Sequence, residues 1–312
     1  PSTPSSHPTP ACTVGSLEWP RMPLRSDPRC LDCFRRGLRD FTGRSGLEAG
    51  EAARTAEEAV AFVAEKLVHN PPPVAGVPAW ELICSRAEVS DLFEDDKRRL
   101  TLALSEELEG LRAGLRARPD PQAAALRATT WGNLLDVAQG RELPDPTLLL
   151  DLLDTPLAID ETHRFLAQLG ESSTFLILGD NAGETVLDRL FLEVAAPSGQ
   201  VFYTVRPEPV MNDATRADAE MAGLHHYAEL VETGCSAPTV TPGLAGPRLQ
   251  DLLRSADLIL SKGQGNLEGL LGTEDERLYY SFVVKCDVIG DATGLPLHGG
   301  VFACSARMPK RR

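Results

Sequence analysis

The sequence has no apolar run that approaches the roughly 20 residues of a membrane-spanning helix. Its first ten residues also lack the basic segment followed by an apolar stretch that marks a secretory signal. Cysteine is sparse and odd in number, with seven residues in 312, which does not fit the dense paired framework of small secreted domains. We therefore expect a cytoplasmic protein that binds no membrane and keeps its cysteines reduced.

Positive charge is in deficit. The 31 lysines and arginines face 45 aspartates and glutamates, which gives a formal net charge of -14. Such a chain repels nucleic acids and anionic lipids at long range, so neither is expected as a partner. A small phosphorylated ligand would also be repelled, and it would need a local positive group: a metal ion, a lysine or a helix N-terminus.

Helical patterning dominates the first half of the chain. Seven prolines among serines and threonines in residues 1–28 predict an extended or disordered lead-in. From 29–170 the pattern is helical, and further helices are predicted at 53–67 and at 121–137. Five leucines lie on one stripe at helical spacing: Leu100, Leu104, Leu108, Leu111 and Leu115. We interpret residues 29–170 as an all-helical N-terminal domain.

The pattern changes near Ser172, where short apolar runs begin to alternate with helix-like segments. Four of these runs are typical of buried strands: 174–178, 200–205, 257–261 and 280–286. Alternation of strands and helices predicts a parallel sheet with helices on both faces. The predicted fold is therefore α/β, with a doubly wound Rossmann-like sheet in residues 171–312 that follows the helical domain.

Ligands in open α/β sheets bind beyond the carboxyl ends of the strands, so the residues that follow each run are candidates for a site. The first run is followed by Gly179-Asp180-Asn181-Ala182-Gly183-Glu184 and then by a helix. The side chains of Asp180 and Asn181 are oxygen donors suited to a hard divalent cation, and the amides of Ala182 and Gly183 would hold a phosphate. The alternative is structural: Asp180 or Asn181 caps the helix, and Gly183 serves close packing.

The ends of two later runs carry further polar clusters. After the second run, Asp213 is a candidate third oxygen ligand, whereas Asp218 is better explained as a helix cap. After the third run, Lys262 begins a glycine-containing loop similar to those that cradle phosphate. The other candidates for anion binding in that loop are Gly263, Gly265 and Asn266. A glycine-rich turn with a solvated lysine is the alternative, and no Walker or dinucleotide-binding spacing is present. Convergence of three strand ends at one sheet edge favours a shared site for a metal and a phosphate.

Other polar residues have weaker claims to function. Cys30 and Cys33 have the spacing of half a zinc site or of a redox pair, but no second pair completes four ligands. The pair His225-His226 is expected on an exposed flank. Asn133 and Asp136 share a helix face that would close over the sheet, although ordinary surface polarity explains them equally well.

Together the segments described above resemble the damage-control phosphatase family, once catalogued as domain of unknown function 89. The resemblance spans roughly residues 30–304 and is carried by Leu178-Gly179-Asp180-Asn181-Ala182-Gly183-Glu184, Asn212-Asp213-Ala214-Thr215 and Lys262-Gly263-Gln264-Gly265-Asn266. It implies a helical region joined to a Rossmann-like domain, and hydrolysis of phosphate monoesters of small metabolites, often sugar phosphates or damaged ones. It also implies a divalent metal (Mn, Ni, Co or Mg) whose ligands are Asp180, Asn181 and Asp213.

Two further features resemble the microbial branch of that family: Cys30-x-x-Cys33 and Gly132-Asn133-x-x-Asp136. The chain also departs from the family. Arg206-Pro207 stands where a lysine-glycine pair is usual, and residues 231–243 diverge from the usual glycine-rich pattern. The resemblance therefore indicates the metal more firmly than it indicates the substrate.

In the mechanism that these residues predict, a metal held by the three oxygen ligands polarises a phosphoryl oxygen and aligns a water molecule. Lys262 and the amides near Gly183 neutralise the remaining phosphoryl oxygens. Glu184 or Asp218 orients the attacking water.

Two other functions remain as alternatives. One is an S-adenosylmethionine-dependent methyltransferase, although the acidic-x-Gly-x-Gly loop expected of such enzymes is absent. The other is a non-catalytic interaction protein in which a metal only braces the fold. Metal-dependent activity toward p-nitrophenyl phosphate would distinguish a phosphatase from both.

Overall fold

The computed structural model describes residues 27–135 and 148–309. Its first part is helical, with α1 Pro28–Arg44, α2 Ala49–Lys66, α3 Pro72–Ala75, α4 Val77–Ala87, α5 Glu94–Glu106, α6 Leu108–Arg116, α7 Pro121–Trp131 and α8 Leu148–Leu152. A 3₁₀ turn, Gly132–Leu134, directly follows α7. The lead-in predicted for residues 1–28 lies outside the described residues, except for its last two.

The helix predictions are confirmed in type and corrected in their bounds. The helix predicted at 53–67 is α2, which begins four residues earlier, at Ala49. The leucine stripe is buried as expected, but it belongs to two helices because the chain turns at Glu107 between α5 and α6. The helix predicted at 121–137 ends at Trp131, where the 3₁₀ turn begins.

The described residues form a seven-stranded sheet with the order β1-β7-β6-β5-β2-β3-β4. The strands are β1 Ile159–Asp160, β2 Thr174–Leu178, β3 Gln200–Val205, β4 Glu229–Glu232, β5 Leu258–Lys262, β6 Leu278–Val283 and β7 Gly300–Cys304. Neighbours from β6 to β4 are parallel, whereas β7 is antiparallel to β6 and parallel to β1. The expectation of a purely parallel sheet is therefore wrong at one edge.

Helices alternate with the strands through the second part of the chain. They are α9 Thr162–Glu171, α10 Glu184–Ala195, α11 Arg216–Met221, α12 Pro247–Ser255, α13 Gly263–Leu270 and α14 Asp287–Thr293. Each of the four predicted strands is present, although the last one occupies 278–283 instead of 280–286. The fold is mixed α/β, as the sequence predicts.

Both faces of the sheet are covered by helices. On one face, Ile177 of β2 packs in a cluster with Leu187 of α10 and with Trp131 of α7. On the other face, Leu178 packs with Leu249 of α12. Because α7 belongs to the helical part of the chain, that part shares a hydrophobic core with the sheet. The predicted division into separate domains near residue 171 stays a prediction.

Cysteine oxidation differs among the described residues. Five cysteines are free thiols: Cys30, Cys33, Cys84, Cys286 and Cys304. Cys235 is disulfide-bonded, so the expectation of uniformly reduced cysteines is not met at that position. Among the described helices, none is both long enough and apolar enough to cross a membrane.

An aromatic cluster around Phe165 offers a test of the core. The Phe165 ring is fully buried, and its centroid lies 5.6 Å from that of Phe175, 5.2 Å from that of Tyr279 and 5.3 Å from that of Phe302. We expect Phe165→Ala to lower the free energy of unfolding by about 3–5 kcal/mol, because it leaves a cavity that the packed rings cannot close. Urea denaturation measures the loss.

The matched control is Phe62→Ala, at a phenylalanine of α2 whose side chain is 37% exposed. This change is expected to cost about 1 kcal/mol or less, since little of the ring leaves contact with protein. Equal losses in the two variants would show that the Phe165 cluster is not a central part of the core.

Candidate functional site

The predicted site lies at the carboxyl ends of β2, β3 and β5, which are neighbours in the sheet. The chain leaves β2 at Gly179, where a β-carbon would lie only 2.4 Å from the Thr204 carbonyl oxygen. Glycine is therefore required for β2 and β3 to remain this close at their ends. The segments that follow are here called the first loop, residues 179–183, and the second loop, residues 206–215.

Backbone hydrogen bonds pair the two loops. The Ala182 amide donates to the Asn212 carbonyl oxygen over 2.9 Å, and the Ala214 amide donates to the Asp180 carbonyl oxygen over 2.8 Å. Between these bonds, Asn181 and Asp213 face each other as an antiparallel bridge. The structure thus brings together Asp180, Asn181 and Asp213, the three predicted metal ligands, at one place.

Asp180 is buried, with 7% of its surface exposed. Its Oδ2 accepts hydrogen bonds from Asn133 Nδ2, 2.9 Å away, and from Asn181 Nδ2, 3.2 Å away. Within the described part of the chain, no hydrogen bond reaches Oδ1. Burial and the nearby carboxylates of Glu184 and Asp213 hold the pKa of Asp180 well above its usual range. A cation beside this carboxylate would relieve the same electrostatic cost.

Gly263 lies directly against Asp180. A β-carbon at this glycine would lie 1.9 Å from Asp180 Oδ2, and the residue has a φ of +76°, which L side chains rarely adopt. Glycine is thus required at this junction for two independent reasons. Its absence of a side chain is what lets Asp180 occupy its position beside β5.

Asn133, which follows α7, contributes a side chain from the helical part of the chain to the site. Its Nδ2 donates to Asp180 and also to Glu184 Oε1, 2.8 Å away, while its Oδ1 accepts from the Val283 amide over 3.3 Å. Asn133 therefore closes over the sheet edge as the sequence suggested. Asp136, its predicted companion, lies outside the described residues.

Arg206 is a member of the site that sequence reasoning noticed only as a departure from the family pattern. Its guanidinium is buried, and Nε donates to Asp213 Oδ2 over 2.7 Å. Nη2 lies 3.3 Å from Asn266 Oδ1, whereas Nη1 is buried and has no hydrogen-bond partner among the described residues. Arg206 thus neutralises one side of Asp213 and links it to the start of α13.

Lys262 is fully buried, and its ammonium is already paired. Nζ lies 2.8 Å from Glu184 Oε2 and 2.9 Å from Asp188 Oδ1, and Asp188 in turn accepts from Tyr203 Oη over 2.8 Å. Burial alone would lower the pKa of Lys262, but the carboxylates of Asp188 and Glu184 raise it above its ordinary value. Lys262 is therefore charged and is not the solvated lysine of the alternative interpretation.

The prediction of a glycine-containing loop after Lys262 is wrong, because these residues are helical. Helix α13 begins at Gly263 itself, so Gly265 and Asn266 lie in its first turn. A β-carbon at Gly265 would lie 2.4 Å from the Pro238 carbonyl oxygen. Asn266 Nδ2 donates to the Gly179 carbonyl oxygen over 2.9 Å, which fixes the start of α13 to the first loop.

Of the two predicted helix caps, one is absent and the other is present. Helix α10 has Gly183 at its N-cap and no capping side chain, so the interpretation of Asp180 or Asn181 as its cap is wrong. Asp218 does cap α11, through a capping box with Thr215, and also pairs with buried Lys97. His225 and His226 lie on the exposed flank, as expected.

Lys285 is a residue that sequence reasoning missed. It follows β6, so it lies at the same edge of the sheet as the two loops. Its side chain is half-buried, and its positive charge lowers the pKa of Asp180 against the effect of burial. The sequence prediction places Lys285 inside the strand 280–286, and only the observed end of β6 at Val283 puts it beyond the strand.

The donor set fits a hard divalent cation. Among residues 27–135 and 148–309, no group of three histidine, cysteine, aspartate or glutamate side chains is placed to hold an ion. A centre at this edge therefore depends on the Asn181 carboxamide beside the carboxylates of Asp180 and Asp213. Carboxylate and carboxamide oxygens suit Mg²⁺ and Mn²⁺ better than soft cations.

Comparison with known proteins places this arrangement in context. The family model described as the damage-control phosphatase ARMT1-like domain matches residues 26–298. An uncharacterised protein of Methanocaldococcus jannaschii is 25% identical over 295 residues, which cover 89% of this chain and 95% of that protein. The damage-control phosphatase of Pyrococcus horikoshii is 27% identical over 183 residues, 58% of this chain and 63% of that protein.

A solved structure shows the same fold. The crystal structure of a DUF89 family protein from Pyrococcus horikoshii superposes with a TM-score of 0.82 at 21% identity, over 89% of this chain and 98% of that one. A damage-control phosphatase of Archaeoglobus fulgidus is 26% identical over 213 residues, 66% of this chain and 73% of that protein. The match of the family model to most of the sequence shows that this chain belongs to the damage-control phosphatase ARMT1-like family.

Proposed function

We propose that this chain is a metal-dependent phosphatase that hydrolyses phosphate monoesters of small metabolites, sugar phosphates or damaged phosphorylated metabolites among them. The observation that carries the proposal is the convergence of Asp180, Asn181 and Asp213 on two paired loops. Family membership supports the phosphatase reaction. The all-oxygen donor set supports Mn, Ni, Co or Mg as the cofactor.

A divalent cation bound by the three ligands would supply Lewis-acid polarisation of a phosphoryl oxygen. Asn133 and Asn181 hold the Glu184 carboxylate through Oε1, and Lys262 holds it through Oε2. Lys262 thereby helps to fix the position of the Glu184 carboxylate, which in this proposal accepts a proton from an attacking water. In this proposal Lys262 acts through Glu184 and not by contact with the phosphate.

The phosphate itself would be held by backbone amides and by a lysine at this edge of the sheet. The Ala182 amide already donates to the Asn212 carbonyl oxygen, so the phosphate-binding role expected of it is dropped. The amide of Gly183 in the first loop, and those of Gly263 and Gly265 in the first turn of α13, lie at helix N-termini that favour anions. Lys285 supplies a positive charge at the same edge. Asn266 contributes indirectly, because its side chain holds the two segments together.

Two finer assignments belong to the same proposal. We place the chain in the microbial subfamily that carries an N-terminal Cys-x-x-Cys, with Cys30 and Cys33 as that pair. We also describe the fold as a doubly wound Rossmann-like sheet with an all-helical N-terminal domain, a description supported by helices on both faces of the sheet. The methyltransferase and non-catalytic alternatives are not favoured, since the named relatives are phosphatases.

Replacing Asp180 tests the metal ligands. We expect Asp180→Ala to lower kcat/KM for p-nitrophenyl phosphate with Mn²⁺ by about a thousandfold or more, because one of three protein ligands is lost. The control is Asp251→Ala, which removes an exposed carboxylate of α12 and should leave kcat/KM unchanged. Full activity of Asp180→Ala would exclude the proposed centre.

Removing the metal gives a second test that does not rely on turnover. Dialysis against EDTA should abolish activity, and added Mn²⁺ should restore it and raise the melting temperature. Binding to the folded state alone stabilises it by about 2.7 kcal/mol when the ligand exceeds its Kd a hundredfold. In Asp180→Ala the melting temperature should not respond to Mn²⁺, and an unchanged response would show that the cation binds elsewhere.

Lys285 offers a test of phosphate binding. We expect Lys285→Ala to raise KM for p-nitrophenyl phosphate by about tenfold, equivalent to about 1.4 kcal/mol, with a smaller change in kcat. Lys66→Ala removes an exposed lysine of α2 and is the control for loss of charge alone. If both variants keep the wild-type KM, Lys285 does not contact the substrate.

A further inference from the structure

Helix α5 of the helical part contacts both metal-binding loops with one face. Lys97 and Leu100 are three residues apart, so they are neighbours on the helix surface. Lys97 reaches the end of the second loop, through Asp218. Leu100 packs on Gly183 of the first loop, where a β-carbon would lie 2.3 Å from Leu100 Cδ2. The distance between the two loops is therefore spanned by a single rigid turn of helix.

The contact of Lys97 with the second loop runs through a short chain of hydrogen bonds. Lys97 Nζ lies 2.8 Å from Asp218 Oδ2. The same oxygen accepts from the Thr215 amide over 2.9 Å and from Thr215 Oγ1 over 2.6 Å. Thr215 ends the second loop and forms a parallel bridge with Arg206 at its start. Lys97 thus holds both ends of the loop that carries Asp213.

Two further contacts fix Lys97 and the loop. Asp91 Oδ2 lies 2.7 Å from Lys97 Nζ, so the ammonium is held between two carboxylates, and only 3% of its side chain is exposed. Trp80 of α4 donates from Nε1 to the Pro209 carbonyl oxygen over 3.1 Å, in the middle of the second loop. A buried charge held in this way cannot shift without breaking several hydrogen bonds.

We propose that α5 sets the separation of the two loops, with Lys97 as a positioning residue that holds Asp213 at metal-binding distance from Asp180 and Asn181. The inference rests on the proposed metal site and names the part of the helical region on which that site depends. Lys97 touches neither metal nor substrate in this role. Its effect is exerted through Asp218 and Thr215 on the second loop.

The test is a double variant that removes the tether but keeps the local charge. Lys97→Met with Asp91→Asn removes one positive and one negative charge, so Asp218 keeps its carboxylate and the net charge of the cluster is unchanged. We expect the Kd for Mn²⁺, measured by calorimetry with no substrate present, to rise at least tenfold. Circular dichroism in EDTA should show a folded chain.

The matched control is Arg112→Met with Glu193→Gln. This largely buried pair also joins the helical part to the sheet part, between α6 and α10, with Arg112 Nη2 2.8 Å from Glu193 Oε2, but neither residue belongs to the two loops. The control should bind Mn²⁺ as tightly as the wild type. Equal weakening in both double variants would mean general loosening of the fold and would overturn the inference.

A milder variant covers the case in which the double variant does not fold. Trp80→Phe keeps an aromatic ring but removes the hydrogen bond to Pro209, and it should weaken Mn²⁺ binding by about twofold to fivefold. Wild-type affinity in the double variant, or in Trp80→Phe where the double variant does not fold, overturns the positioning role and leaves the metal site intact. A wild-type chain that binds no divalent cation overturns the metal site and this inference together.

Discussion

The structure of the site depends on how four buried carboxylates are kept at one edge of a sheet. Asp180, Glu184, Asp188 and Asp213 are each exposed by 7% or less. Ionised carboxylates that lie close together and are shielded from water repel one another, and burial disfavours their ionised forms. Two buried cations pair with three of them: Lys262 with Glu184 and Asp188, and Arg206 with Asp213. With all four carboxylates ionised, the two buried cations would leave two negative charges unpaired, and half-buried Lys285 at the same edge would offset only part of that excess. A divalent cation would offset this excess. Among the described residues no lysine or arginine is paired with Asp180, and Asp180 is the carboxylate with the strongly raised pKa.

The sequence predicted those parts of the site that are local in the chain. Asp180 and Asn181 follow closely after one apolar run, and Asp213 lies in the segment that follows the next. The rule that ligands bind beyond the carboxyl ends of strands was enough to select them. The partners of Lys262 could not be found in this way. Asp188 lies one helical turn after the start of α10, and it faces the sheet only once the helix has packed. The error at residues 263–266 has a similar origin. Glycine disfavours a helix locally, but the close approach of Asp180 requires glycine at the first residue of α13.

The helices that precede the sheet are part of the site and not an addition to it. Asn133 donates hydrogen bonds to Asp180 and Glu184, and Leu100 packs against Gly183. Contacts of this kind join residues far apart in sequence, which is why the helical part appeared from its pattern to be a separate layer. The fold is retained in a structure that shares only 21% identity with this chain. Such retention is expected when the fold is held together by packing between its layers and not by any single segment.

The position of β7 has a consequence for the order in which the molecule can assemble. Strand β1 pairs with β7, and β7 is inserted between β1 and β6. Of the strands in the described residues, the first, β1, therefore cannot join the sheet until the last, Gly300–Cys304, has been synthesised. During translation, the five parallel strands can pair while β1 waits for a partner about 140 residues away, a long loop closure that slows folding. Removal of Gly300–Cys304 would then release both β7 and β1, whereas β2 and β3, which precede the loops that carry Asp180 and Asp213, are separated from β7 by β6 and β5.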